Sequence, residues 1–292
     1  MSERMSEVVH DTLDPTVRLS YGADEILVRT TTPYQDVVLL DNERFGRVLL
    51  LDGATQLTTA DEFIYHEMLA HVPIFSHGDV RDVLIIGGGD CGLAEEVLKH
   101  KDIRRVVQVE LDPCVVDLSR RYLDEINAGV FADERFQLNI HDGATFIDGM
   151  AERFDLVLVD STDPVGDACK LFSAQFYKNV RRCLRMRGIL VVQAGVPFLQ
   201  PEDFSSAMRN LASVFRYPSC YLLASPSYVG GHLALGWASD SISPAAVSLD
   251  VIKARHAKAN LKLRYYTPEV DRAAFALPGY INDLFTEAIE RR

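Results

Sequence analysis

Residues 82–98 read DVLIIGGGDCGLAEEVL, and this stretch decides the fold. Val83 to Ile86 form an apolar run that ends in Gly87, Gly88 and Gly89, and a helical pattern begins after Gly92. An unbroken apolar run is what a strand buried on both faces requires. Gly87, Gly89 and Gly92 match G-x-G-x-x-G, the turn between strand and helix in nucleoside-binding βαβ units. Such glycines permit a tight turn and let a ligand approach the backbone. Glu110 closes the next apolar run about 20 residues on, where an acid holds ribose hydroxyls.

Outward from this unit the alternation continues. VVQVEL is followed by CVVDLSRRYL, FQLNIHDG by ATFIDGM, FDLVLVDSTDP by AQFYKNVRRCLR, and GILVVQAG by DFSSAMRNLASVF. Strands alternating with helices predict a mostly parallel sheet covered on both faces. YLLASPSY and HLALGWAS supply candidate strands for its far edge. Before this region, EILVRTTT, YQDVVLLDN and GRVLLLDG read as short antiparallel strands, with Asp41-Asn42 and Asp52-Gly53 as turns. A helical pattern, EFIYHEMLAHVPI, joins the two. The fold class is therefore α/β: a Rossmann-like, class I methyltransferase-type sheet at 76–292, behind a small β-rich domain at 1–75.

The 292 residues carry a net charge of −12, which disfavours nucleic acid and anionic membrane surfaces and suits a cationic small substrate. Five cysteines without a C-x-x-C pair form neither a disulfide framework nor a zinc knuckle, so a reducing compartment is expected. With no signal-like or membrane-spanning apolar run, the sequence reads as cytoplasmic.

The acids locate the chemistry. Asp90 sits inside the glycine loop, where a pyrophosphate or a methionine carboxylate would meet its charge at close range. In a poorly solvated cleft that repulsion costs several kcal/mol, whereas an ammonium would be favoured. Asp160 and Asp163 emerge at the C-terminal end of an apolar strand, where open α/β sheets place their ligands. Asp142, in NIHDGA, has two readings: a helix cap, or an acceptor for an exocyclic amine such as adenine N6. Asp90 could equally cap the helix that follows it. His66-Glu67 with His71 resembles H-E-x-x-H but has one residue too many, which puts the imidazoles on different helix faces.

GGGDCG, VVQVELD, HDGATF and DSTDPVG, in that order, resemble the successive motifs of spermidine synthases, the polyamine aminopropyltransferases, particularly the bacterial type. PYQDVVLLDNERFGRVLLLDGATQLTTADEFIYHEMLAHVP and LKLRYYTPEVDRAAFALP resemble the family's N-terminal and C-terminal segments, so the likeness runs from about Asp36 to Pro278. It implies that Gln35 and Glu110 hold the adenosine of decarboxylated S-adenosylmethionine, beside the glycine turn with Gly87 and Gly89. Asp142 and Gly143 would read adenine, and Asp90 would bind the aminopropyl ammonium. Asp160 would be the proton acceptor and Asp163 a second acid facing the amine. Tyr65, His66 and Tyr228 would line the polyamine channel.

The implied reaction displaces methylthioadenosine from a sulfonium by a diamine, putrescine in the first place. It calls for no metal and no bound redox cofactor. A homodimer or homotetramer is implied, with the N-terminal β segment as contact. Two departures stand out: Cys91 replaces a usual glycine, and Asp167-Ala168-Cys169-Lys170 replaces a segment with Pro, a small residue and Glu. The competing readings are an S-adenosylmethionine-dependent methyltransferase on the same fold and an idle relative that binds polyamine or nucleoside. Cys91 as a nucleophile lacks an evident base.

Overall fold

The structure is a computed structural model and describes residues 7–290; the Asp167 side chain also lies outside the described residues. It opens with an antiparallel ribbon of β1 (Glu7–Asp11) and β2 (Leu19–Ala23), which the sequence patterning does not announce. A four-stranded antiparallel sheet follows, in chain order: β3 (Glu25–Thr31), β4 (Asp36–Asn42), β5 (Gly46–Leu51) and β6 (Ala54–Thr58). Leu51 pairs with Ala54, so Asp52 (φ 48°) and Gly53 (φ 77°) make the tight hairpin turn that demands left-handed backbone. Period-2 alternation gives this sheet two buried faces. Val37, Leu39, Leu49 and Leu57 pack with Val115, Leu123 and Ile126, whereas Leu40, Val48 and Leu50 pack with Tyr21 of the ribbon.

The chain then forms α1 (Glu62–His77), β7 (Asp82–Gly87), α2 (Gly92–Leu98), β8 (Arg105–Glu110), α3 (Pro113–Tyr122), β9 (Phe136–Ile140), α4 (Gly143–Phe146) and β10 (Phe154–Asp160). It continues with α5 (Ala174–Cys183), β11 (Leu184–Gln193), α6 (Pro201–Val214), β12 (Tyr217–Leu223), β13 (Leu233–Ser239), α7 (Leu249–Ala259), α8 (Pro268–Ala274) and α9 (Gly279–Glu290). The strands make one seven-stranded sheet, ordered β12-β13-β11-β10-β7-β8-β9. The pairs from β9 through β11 are parallel, and β13 is antiparallel to both β11 and β12.

Alternate residues of the central strands feed opposite cores. Val83 and Ile85 join α1 and α2 on one face, while Leu84 and Ile86 join α5 and α6 on the other. Each such side chain contributes roughly 1.5–3 kcal/mol on burial. From β7 the chain steps outward to β8 and β9, then returns to the other side of β7 as β10. Strand order reverses there, opening a crevice beyond the C-terminal ends of β7 and β10.

Two segments differ from the sequence reading. The helix at AQFYKNVRRCLR stops at Cys183, because Leu184 pairs with Phe154 in the sheet and Arg185 bonds Asp155 at 2.8 Å. ATFIDGM yields a single helical turn, with Gly149 at φ 74°. Among the described residues no helix is long and apolar enough to cross a membrane.

Candidate active site

The glycine turn is fastened to the end of β10. Gly88 N–H donates to the Asp160 carbonyl at 2.8 Å, and a Cβ on Gly87 (φ 86°) would collide with that same carbonyl. Only glycine fits, and the consequence is functional: the loop carrying Asp90 and the strand end carrying Asp160 meet at the crevice. Asp90 Oδ1 accepts from Gly92 N–H at 2.7 Å, but the N-cap of α2 is Cys91 rather than Asp90, and the Asp90 carboxylate lies on the cavity wall. Cys91 adopts φ 65°, a left-handed backbone that glycine takes at the least cost. Its thiol is buried; burial first, then Asp90, push its pKa far up, which disqualifies it as a nucleophile.

Two cavities share Asp160. The larger, about 230 Å³, is lined by Gln35, Gly87, Gly89, Asp90, Glu110, Asp142 and Gly143. The smaller, about 60 Å³, is lined by Tyr65, Asp163 and Tyr228, and the two adjoin at Gln56, Asp160 and Ser161. A wide chamber opening into a slim one suits a nucleoside beside an alkyl chain. His66 is on neither wall: it stands behind Asp90, its Nε2 3.5 Å from Asp90 Oδ1.

In the larger cavity, Glu110 Oε1 accepts from Asp112 N–H at 2.8 Å, and burial foremost raises its pKa to about 7. Asp112, not singled out in the sequence, organises this wall. One oxygen caps α3 by accepting from Cys114 N–H at 2.9 Å; the other accepts from Thr32 Oγ1 (2.7 Å) and Gln35 Nε2 (3.0 Å). It thereby ties the small sheet to the large one and positions Gln35. Asp142 caps α4 by accepting from Thr145 N–H at 2.7 Å and lies 3.7 Å from Lys170 Nζ. Partial burial opposes its charge, but Thr145 and Lys170 hold its pKa below the usual carboxylate value. Beside Lys170, the Cys169 thiol donates to the Pro164 carbonyl at 2.8 Å.

In the smaller cavity, Tyr65 Oη donates to Asp160 Oδ1 at 2.8 Å, and Tyr228 Oη donates to the Gln56 carbonyl at 2.6 Å. Asp163 accepts from Gln193 Nε2 and Gln200 Nε2, both at 2.9 Å. Sequence reasoning missed these glutamines. Gln193 had a signal, since it ends a buried strand as Asp160 does; Gln200 had none.

Asp160 Oδ2 and Ser161 Oγ are buried and have no hydrogen-bond partner within the described chain. A carboxylate oxygen left that way is costly unless a ligand donates to it. Burial, then the neighbouring Asp90, raise the Asp160 pKa to about 6. His66, Asp90 and Asp160 offer donor atoms within 4.8 Å of one another. Burial works against charge on His66, but Asp90 and Glu62 outweigh it and raise its pKa to about 10. Beside the His66 imidazolium, Asp90 and Asp160 present two carboxylates to the crevice.

Comparison with known proteins identifies the family. Residues 62–249 match the spermine/spermidine synthase domain, and residues 8–59 match the spermidine synthase tetramerisation domain. A polyamine aminopropyltransferase of Ruegeria sp. (strain TM1040) is 47% identical over 280 residues, covering 96% of this chain and 97% of that protein. One of Klebsiella pneumoniae subsp. pneumoniae is 44% identical over 274 residues, covering 94% and 96%. The crystal structure of a spermidine synthase in complex with the transition-state analogue AdoDATO superposes with a TM-score of 0.92, at 33% identity and 97% and 96% coverage. The spermidine synthase of Thermotoga maritima superposes with a TM-score of 0.91 at 32% identity, with the same coverage of each chain. By sequence along nearly its whole length and by architecture, the chain belongs to the spermine/spermidine synthase family of aminopropyltransferases.

Proposed function

We propose that this enzyme moves the aminopropyl group of decarboxylated S-adenosylmethionine onto putrescine, forming spermidine and releasing methylthioadenosine. The observation that carries the reading is the partnerless Asp160 Oδ2 at the junction of a wide and a narrow cavity, with Asp90 beside it. In this reading Gln35 and Glu110 hold the ribose end, Asp142 and Gly143 the adenine, and Asp90 the donor ammonium. A donor retaining its methionine carboxylate would bring that charge against Asp90, at a cost of several kcal/mol.

The acceptor lies in the narrow cavity between Tyr65 and Tyr228. A free alkylamine has a pKa of about 10.4, so near neutral pH it arrives as an ammonium and cannot attack. Asp160, a carboxylate above about pH 6, takes one proton and aligns the nitrogen, with Tyr65 fixing its other oxygen. The nitrogen lone pair then forms the new C–N bond as the C–S bond breaks, and the sulfur leaves with the electron pair. Asp163, held between Gln193 and Gln200, faces the acceptor's remaining ammonium. The likeness of residues 8–59 to a tetramerisation domain supports a homo-oligomer built through the small sheet.

The test is a product assay by mass spectrometry, with decarboxylated or intact S-adenosylmethionine and a panel of putrescine, cadaverine, agmatine and spermidine. Methylthioadenosine and spermidine, formed only from the decarboxylated donor and fastest with putrescine, are expected. S-adenosylhomocysteine from the intact donor would replace this reading with methyl transfer, and a faster acceptor would replace putrescine.

A further inference from the structure

Glu62 stands in the first turn of α1 and touches neither cavity. Its Oε2 lies 2.8 Å from His66 Nδ1, and the opposite ring nitrogen lies 3.5 Å from Asp90 Oδ1. The three side chains are 11%, 3% and 15% exposed, so water screens them little. The ring fits there because residue 92 is glycine: a Cβ would stand 2.5 Å from His66 Cε1. Carboxylates at both ring nitrogens require a proton on each, because a neutral imidazole would leave one oxygen facing a lone pair.

We propose that Glu62 is a positioning residue for the reaction: its hydrogen bond holds His66 as a cation behind Asp90, and that cation keeps Asp160 unprotonated and able to take the acceptor's proton. The proposal rests on the aminopropyl-transfer reading above. Three carboxylates converge here, from α1, the β7–α2 loop and β10, and without a matching cation Asp90 and Asp160 would repel. Around them stand Tyr65 and Tyr228, which are neutral donors, and Glu95 of α2, which is paired with Lys99 at 2.9 Å. None of these supplies a cation to the cluster; His66 does. Desolvation and Asp90 raise the Asp160 pKa while His66 lowers it, so removing the His66 charge moves it further up.

A purely structural Glu62 would only favour the positive N-terminus of α1. The two roles separate in pH profiles of kcat/KM for the acceptor, measured on the full-length enzyme with Glu62→Gln and Glu62→Asp. Glu62→Gln is expected to move the acid limb upward by about 1 pH unit. Glu62→Asp, which retains the carboxylate, is expected to keep the limb near its original place. A slower Glu62→Gln enzyme with an unmoved acid limb would overturn the proposal. Histidine NMR of the wild-type enzyme without substrate forms the second arm and needs no variant to fold. His66 should show imidazolium shifts at about pH 8, given its elevated pKa; a neutral ring there would also overturn the proposal. Because that arm needs no turnover, absent aminopropyl transfer would defeat the functional reading and leave the His66 result standing.

Discussion

Helix α1 buries His66, His71 and His77, and its two halves treat the first two oppositely. His66 lies between Glu62 and Asp90, and these acids overcome burial to raise its pKa to about 10. His71 bonds His100 at 2.9 Å and Glu96 at 3.0 Å, among the rings of Phe75 and Tyr266. Burial lowers the pKa of both His71 and His100 to about 3. Two acids are present here too: Lys99 meets Glu96 at 2.6 Å, and Glu67 accepts from the N–H groups of Arg264, Tyr265 and Tyr266. His71 therefore serves as a neutral N–H donor. With both rings buried, the carboxylates that face each ring decide its charge: Asp90 and Glu62 outweigh desolvation at His66, whereas Glu67 does not at His71.

The largest expected effect comes from breaking the charged half at Asp160, the acid proposed to take the proton. Asp160→Asn should lower turnover roughly 10²-fold to 10⁴-fold while donor binding changes far less. Steady-state kinetics with both substrates varied will check this, and near wild-type turnover would remove Asp160 from its role. Asp90→Asn should raise the KM for the decarboxylated donor about 10-fold to 100-fold, the worth of a charge-assisted hydrogen bond. An unchanged donor KM would place the ammonium elsewhere.

Stability against pH sharpens the contrast itself. His71 and His100 have pKa values lowered in the folded protein, so unfolding is promoted as pH falls from about 6.5 toward 3, where the unfolded chain takes up protons first. The slope is at most about 1.4 kcal/mol per pH unit for each histidine. His66 runs the other way: its stabilisation is complete below about pH 6.5 and is lost as pH rises toward about 10. Urea melts at several pH values, for wild type and His66→Gln, should show the variant losing the alkaline decline and keeping the acid one.

Smaller effects belong to the supports. Gln200→Leu frees one oxygen of Asp163 and should raise acceptor KM about 3-fold to 10-fold with kcat held, the range of one hydrogen bond. Lys170→Gln should change donor KM by about 2-fold or less, because its 3.7 Å pairing with Asp142 is largely exposed. A larger loss would mean that the 166–172 turn closes through that contact.

Much of the frame is legible along the chain. Apolar runs ending in Gly87, Glu110 and Asp160 state both a parallel sheet and its ligand edge, because a doubly buried strand and its exposed end differ in composition. The negative charge of Asp90 inside the glycine turn is legible as well, and it carries the expectation of an ammonium there. The β1–β2 ribbon is less legible, since only Tyr21 and Ala23 of β2 and Asp11 of β1 are buried and the alternation is short. The insertion of β13 between β11 and β12 is equally hidden, because an apolar strand does not name its neighbour. Asp112 reads as a plain helix cap before Pro113 until Thr32 and Gln35 are found on its second oxygen.

What the sequence determined by itself was the periodicity, the glycine turn and the placing of acids at strand ends, because these depend on residues close along the chain. Which histidine is charged, which carboxylate oxygen is left without a partner, and which glutamines hold Asp163 were decided only by tertiary structure. The contacts responsible join distant positions, such as Tyr65 with Asp160 and Gln200 with Asp163, 95 and 37 residues apart. A side chain's protonation follows the dielectric and the charges around it in space, and the order of residues along the chain does not contain that distance.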